Sequence, residues 1–167
     1  MFKKVGMGIV SAATVLIVGF GLSNTASADL KTEDLYEYQE WEPNNTLETA
    51  DDFGLNGVVF GNFDTEGDRV DIYKFTAETT NLAYFSLGIK NWTKNDYNLY
   101  LLDNKGNVLA KSETEKTSSL EDFIYKVKKN QIYYIKIVAK ERGSQTTTKY
   151  TLKAFSEGNY TIPEWLE

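Results

Sequence analysis

Leu82-Ala83-Tyr84-Phe85-Ser86-Leu87-Gly88-Ile89 is the stretch that most directly indicates how this chain folds. From Ala83 onward, apolar residues alternate with Tyr84, Ser86 and Gly88. Successive side chains of a strand point to opposite faces of the sheet, so this period of two predicts a half-buried strand. Tyr133–Ala139 and Tyr150–Ala154 repeat the pattern. The chain from Gly57 onward is therefore predicted to be all-β.

Turn residues interrupt this pattern at short intervals and divide it into eight strands. The predicted strands are Val58–Phe63, Val70–Ala77, Leu82–Ile89, Tyr97–Leu102, Val108–Ser112, Asp122–Val127, Ile132–Ala139 and Lys149–Phe155. Two predicted turns are rich in Asn and Gly, which tolerate positive φ: Asp103–Asn107 and Lys128–Gln131. A short helical turn is predicted at Leu47–Asp52, with Thr46 as its N-cap. Eight short strands with tight turns predict an antiparallel β-sandwich of jelly-roll type.

The N-terminus reads as a targeting signal. Lys3 and Lys4 precede the apolar stretch Val5–Leu22, and Ala26-Ser27-Ala28 offers small residues for cleavage. The alternative is a membrane anchor, because the apolar run is nearly long enough to span a bilayer. We expect a cleaved signal peptide and hence a secreted, extracellular protein with no later membrane segment. The predicted organisation is a signal peptide at 1–28, an acidic arm at 29–39, a sandwich at 40–156 and a tail at 157–167 that can fold back through Pro163–Leu166.

Composition excludes several classes of function. The net charge of −6 argues against nucleic acids and anionic membranes as partners, since both bind surfaces on which Lys and Arg are clustered. The chain contains no His and no Cys. It therefore lacks the residues of a Ser-His-Asp or Cys-His triad and of the usual zinc sites, and it can form no disulfide. We expect a monomer whose stability comes from its core and from a bound metal.

Two acidic stretches supply the donors for such a metal. Glu40-Trp41-Glu42-Pro43-Asn44-Asn45-Thr46 and the loop at Asp64–Asp71 are rich in carboxylate and amide oxygens. Calcium takes about six to eight oxygen ligands in a flexible geometry. With no nitrogen or sulfur ligand available in the side chains of His or Cys, the sequence predicts calcium rather than a transition metal.

A set of short motifs extends the interpretation to a family. In order, these are Glu42–Thr46, Ala50, Gly61, Val70–Phe75, Tyr97–Leu101, Gly106, Tyr133-Tyr134 and Tyr150–Leu152. Together they resemble the bacterial pre-peptidase C-terminal domain, which is related to the collagen-binding domains of clostridial collagenases. The resemblance covers the predicted sandwich. It implies a β-sandwich of the kind usually appended to secreted peptidases.

The resemblance also implies a set of calcium ligands. Carried over by position, they are Glu40, Glu42, Asn45, Asp68 and Asp71, with a backbone carbonyl near Asn62. Thr46 stands where the collagenase domains have an aspartate, so we expect one ion rather than two. The alternative is structural: Asn45 and Thr46 would form a turn and a helix cap, and Asp71 would bond backbone amides from inside the sandwich.

Aromatic residues offer a possible ligand-contact surface. Flat rings supply contact area at low entropy cost, and five rings are candidates: Trp92, Tyr97, Tyr100, Tyr125 and Tyr134. The alternative for each is packing across the sheet. Collagen binding is not carried over, because Val138 and Lys140 stand where the collagen-binding members have tyrosines.

These observations predict a secreted, non-catalytic, calcium-stabilised module that binds an extracellular protein or polysaccharide. A second hypothesis is a helper or structural surface protein, associated with a secreted enzyme or the cell wall. A third is a glycosidase that uses carboxylates alone. Its candidate acids include Glu113, Glu115, Glu121 and Asp122.

Overall fold

A computed structural model describes residues 36–63, 65, 67–114, 118–143 and 149–156. The predicted signal peptide and the predicted tail lie outside the described residues. Within them, no helix is both long enough and apolar enough to cross a membrane.

The described chain forms two five-stranded sheets packed face to face. In chain order the strands are β1 (Tyr36–Tyr38), β2 (Asp51–Asp52), β3 (Gly57–Asn62), β4 (Val70–Thr76), β5 (Asn81–Ile89), β6 (Asp96–Leu102), β7 (Val108–Ser112), β8 (Leu120–Val127), β9 (Ile132–Glu141) and β10 (Lys149–Ser156). The first sheet has the order β1-β3-β10-β5-β8, and the second has the order β2-β4-β9-β6-β7. The eight longer strands are those predicted, and their order is that of a jelly roll, which confirms the predicted fold class.

Two short strands, of three and two residues, were not predicted, because they are too short to show an alternation of apolar and polar residues. Strand β1 lies within the predicted arm at 29–39 and pairs in parallel with β3. Strand β2 pairs in parallel with β4, so the sandwich is not purely antiparallel.

The predicted helical turn at Leu47–Asp52 is wrong: the chain turns at 47–49, and Asp51 and Asp52 are extended. The cap itself exists, since the Thr49 NH donates to Thr46 Oγ1 at 3.3 Å. A single turn is a poor helix nucleus, and the free edge of β4 offers better backbone partners.

The core lies between the two inner faces. Phe75 of β4 and Phe85 of β5 join the sheets with ring centroids 5.9 Å apart. Fully buried aliphatic residues from both sheets, such as Leu87, Leu99 and Ile137, fill the space around them. Burial of this surface is the main source of stability in a chain without disulfides.

Both predicted turns are confirmed. Gly106 has a φ of 83° and donates its NH to the Asp103 carbonyl at 3.0 Å, which closes the β6–β7 hairpin. Asn130 has a φ of 63°, and the Gln131 NH donates to the Lys128 carbonyl at 3.1 Å.

Candidate metal centre

The segment 40–45 crosses the end of the sandwich where β3 ends and β4 begins. Two hydrogen bonds hold it there: the Ile72 NH donates to the Asn44 carbonyl at 2.9 Å, and the Asn62 NH donates to Glu40 Oε2 at 2.9 Å. At Asn62 the NH contacts this segment, and the backbone carbonyl ligand near Asn62 stays a prediction. The segment thus brings its acids against those of β4.

Three of the predicted ligands converge. Glu40, Glu42 and Asp71 each offer one carboxylate oxygen, and these three oxygens lie within 4.8 Å of one another. Asp71 is fully buried, Glu40 is half-buried, and Glu42 is exposed at the rim. In the described part of the chain, none of the three forms an ion pair with Lys or Arg. We call these three residues the carboxylate cluster.

Two tyrosines line the buried side of the cluster. The hydroxyls of Tyr73 and Tyr150 lie 2.8 and 2.7 Å from Glu40 Oε1 and 2.6 Å from each other, and Tyr150 also contacts Asp71 Oδ2. Each phenol carries one hydrogen. Two hydrogens therefore serve four oxygen–oxygen contacts, so the network needs further positive charge, either protons on the carboxyl groups or a cation.

Asp71 also has an oxygen without a partner. Among the described residues, its Oδ1 is buried and accepts no hydrogen bond. The structural alternative in which Asp71 bonds backbone amides is therefore wrong for this arrangement. A buried carboxyl oxygen with no donor is costly, and in this cluster of acids either a proton on the carboxyl group or a bound cation would offset that cost.

The two remaining predicted ligands lie beside the cluster. Asp68 is buried and is close enough to Glu42 to form a hydrogen bond with it. Asn45 donates its side-chain Nδ2 to Asp68 Oδ1 at 3.2 Å, while its Oδ1 accepts from the Asn44 NH at 3.1 Å. As arranged, Asn45 presents a nitrogen to the acids and orients Asp68. Arg142 supports the same loop by donating to the Asp68 carbonyl at 2.7 Å.

Sequence reasoning missed the residues that shape the site. Tyr73 and Tyr150 hold the carboxylates, and Asp51 Oδ2 accepts from the Trp41 NH at 2.8 Å, which shapes the acidic segment. The alternation along β4 did place Tyr73 on the face of Asp71. Nothing in the sequence indicates that Tyr150, on a distant strand, reaches the same point.

Burial and the proximity of other acids raise the pKa values of two carboxyl groups in the site. Desolvation and then the charge of Asp68 raise the pKa of Glu42 to about 7. Burial, followed by the charges of Glu40, Asp68 and Glu42, raises the pKa of Asp71 to about 9, although the Tyr150 hydrogen bond opposes this. Burial also raises the pKa of the Tyr73 and Tyr150 hydroxyls, so both remain donors. Without a cation, the folded site retains protons that the unfolded chain has lost.

This retention predicts an unusual pH dependence. A carboxyl group whose pKa is higher in the folded than in the unfolded chain binds more protons when folded, so its contribution to stability falls as pH rises. In chelator, the melting temperature should therefore fall from pH 5 to pH 9, with Glu42 and Asp71 both contributing up to about pH 7 and Asp71 alone contributing above it. Asp71→Asn should flatten the profile above pH 7. Melting curves across this range measure both, and a melting temperature that rises with pH would contradict the assignment.

The predicted aromatic surface does not form. Tyr97 is fully buried, with its ring 5.0 Å from that of Phe63, so its proposed ligand contact is wrong. Tyr125 is on the inner face of its sheet and packs against Tyr133. Tyr100 and Tyr134 are half-buried on the outer face of the other sheet, and Trp92 lies in the β5–β6 connection. The five rings are thus spread over several surfaces.

The acids of the glycosidase hypothesis have other partners. Glu113 accepts from Tyr100 and Lys111, and Asp122 accepts from the Tyr84 hydroxyl at 2.7 Å. Glu121 is buried and accepts from Ser112 Oγ at 2.6 Å and from Thr114. Glu115 lies outside the described residues. Each of the three described acids is thus held by hydroxyl or lysine donors, which does not favour the glycosidase hypothesis.

No protein-family model matches this chain, and no curated protein matches it. Among solved structures, the pre-peptidase C-terminal domain of collagenase from Bacillus anthracis is similar, with a TM-score of 0.53, 20% identity, and coverage of 66% of this chain and 99% of that domain. The Yersinia pseudotuberculosis-derived mitogen has a TM-score of 0.41 at 14% identity, covering 64% of this chain and 93% of the mitogen. A family 35 carbohydrate-binding module from an environmental isolate has a TM-score of 0.39 at 14% identity, covering 62% and 77%. The last two scores are too low to support an argument. The resemblance seen in the sequence is thus confirmed in the fold, and the chain has the β-sandwich architecture of a pre-peptidase C-terminal domain.

Proposed function

We propose that this protein is a secreted, non-catalytic β-sandwich that binds one calcium ion between its segment 40–45 and strand β4. In this state it presents a sheet face to an extracellular polymer. One observation carries the metal proposal: three carboxylates from separate parts of the chain converge within 4.8 Å, and one of them has a buried oxygen without a partner.

The residues present fit a hard divalent cation. Glu40, Glu42 and Asp71 would hold it, with Asp68 adjacent, and all the side-chain donors are oxygens, as calcium prefers. Calcium would supply the positive charge that this group lacks and would tie the acidic segment to β4. The Tyr73 and Tyr150 hydroxyls would orient Glu40 and Asp71 from the buried side.

Calorimetric titration of the metal-free protein with calcium tests the proposal. We expect saturable binding of one ion, with loss of binding in Asp71→Asn because the buried carboxylate is removed. Glu78→Gln is the matched control, since it removes one exposed acid at the far end of β4. No heat of binding by the wild type, or equal binding by Asp71→Asn, would overturn the metal site.

A further inference from the structure

The outer face of the first sheet carries a groove that adjoins the proposed metal site at Asn62 and Tyr150. It has a volume of about 550 Å³ and is lined by residues that include Phe60, Gly88, Lys90, Ser119, Lys149 and Thr151. Thr151 of β10 lies between Phe60 of β3 and Gly88 of β5 in register. The small residues form a floor, and Phe60 stands beside it with 62% of its surface exposed.

The charge of the groove contrasts with that of the whole protein. Lys90 and Lys149 are exposed at one end of the groove, and the Lys90 NH donates to the Lys149 carbonyl at 3.0 Å. Neither lysine forms an ion pair within the described part of the chain. In a protein of net charge −6, two unpaired lysines beside an exposed ring favour an anionic ligand with an apolar face.

The groove is poorly suited to an extended peptide. Strands β10 and β5 each have a hydrogen-bonded neighbour on both sides, so the centre of the groove floor has no free sheet edge for an added strand. Strand β1 pairs only with Gly57–Val59 of β3, and at the groove end of β3 the Asn62 NH already donates to Glu40 Oε2 at 2.9 Å. Recognition must come from side chains. A sugar ring matches them: its C–H face packs on Phe60, its hydroxyls meet the polar groups of Ser119 and Thr151, and a carboxylate pairs with lysine.

We propose that this groove binds an acidic polysaccharide containing uronate residues, with Phe60 stacking on a sugar ring and Lys90 and Lys149 binding its carboxylates. The proposal rests on the proposed function in that it names the polymer bound by the module. Phe60, Lys90 and Lys149 lie outside the carboxylate cluster, although Asn62 and Tyr150 line the groove and also contact Glu40. The two proposals can fail independently, because their tests change different residues and measure different ligands.

Affinity electrophoresis of the whole protein tests the groove. We expect hyaluronan and unsulfated chondroitin, two uronate polymers, to retard the wild type, whereas neutral dextran does not. Phe60→Ala and Lys149→Glu should each weaken retardation about tenfold, since a central aromatic or charged contact carries much of a binding energy. Phe60→Tyr keeps the ring and should retain binding. Lys105→Glu, which makes the same charge change in the β6–β7 turn, should also retain it.

Three outcomes would overturn the groove proposal. The first is no retardation by either uronate polymer. The second is equal retardation by poly-glutamate, which would indicate charge alone. The third is retardation only after removal of residues 157–167, which would assign the groove to the chain's own C-terminal segment. Melting the same samples with and without calcium separates the proposals: a calcium shift without retardation leaves only the metal site standing, and retardation without a calcium shift leaves only the groove.

Discussion

Chelation of calcium should lower the melting temperature of the wild-type protein by about 10 °C. A ligand that binds only the folded chain adds about 2.7 kcal/mol when its concentration is one hundred times its dissociation constant. For a domain of this size, 1 kcal/mol corresponds to roughly 4 °C. The effect is large because calcium would relieve repulsion among Glu40, Glu42 and Asp71 as well as join two segments. Differential scanning calorimetry in chelator and in millimolar calcium measures the shift.

Variants of the carboxylate cluster test whether the calcium-dependent shift in melting temperature arises at this site. Asp71→Asn should melt at the same temperature in chelator and in calcium, because the ion has lost its buried ligand. It should be no less stable than the chelated wild type at neutral pH, since Asp71 must take up a proton on folding and the amide need not. Glu78→Gln should keep the full calcium shift. A shift that persists in Asp71→Asn would mean that calcium acts elsewhere on the protein.

Gly61→Ala should destabilise the protein by about 2 kcal/mol and abolish calcium binding. A Cβ at Gly61 would lie 2.3 Å from the Tyr150 ring, and the buried Tyr150 hydroxyl contacts both Glu40 and Asp71. The ring cannot move without disturbing both carboxylates. Urea unfolding in chelator measures the stability effect separately from the metal effect, which titration calorimetry then reports.

The sheet offers a matched control for this substitution. Gly88→Ala on β5 makes the same chemical change, but the nearest atom to its Cβ is the Thr151 carbonyl oxygen at 3.8 Å, an ordinary contact. We expect a change of less than about 0.5 kcal/mol and full calcium binding. Equal destabilisation by the two substitutions would show that loss of glycine in a strand, rather than displacement of Tyr150, is responsible.

Local residue patterns were enough to predict the β-sandwich architecture. Alternation along segments such as Ala83–Ile89 and Tyr133–Ala139 predicted the long strands, and the Gly106 and Asn130 turns set their ends. These signals are local, because alternation along the strand sets the face of the sheet to which each side chain points. Strands β1 and β2 were not predicted, because each forms only by pairing with a strand that lies later in the chain, β3 or β4.

The folded arrangement of the chain is needed to see which acids lie together and which other residues they contact. The acidic stretches pointed to Glu40, Glu42 and Asp71, but the approach of their oxygens depends on the path of the segment 40–45 over β3 and β4. The Tyr150 hydroxyl reaches them from the other end of the sequence. The Phe60 groove likewise exists only because β3, β10 and β5 lie side by side. Composition and periodicity report on single segments, whereas a binding site depends on distances between segments, and only the folded backbone sets those.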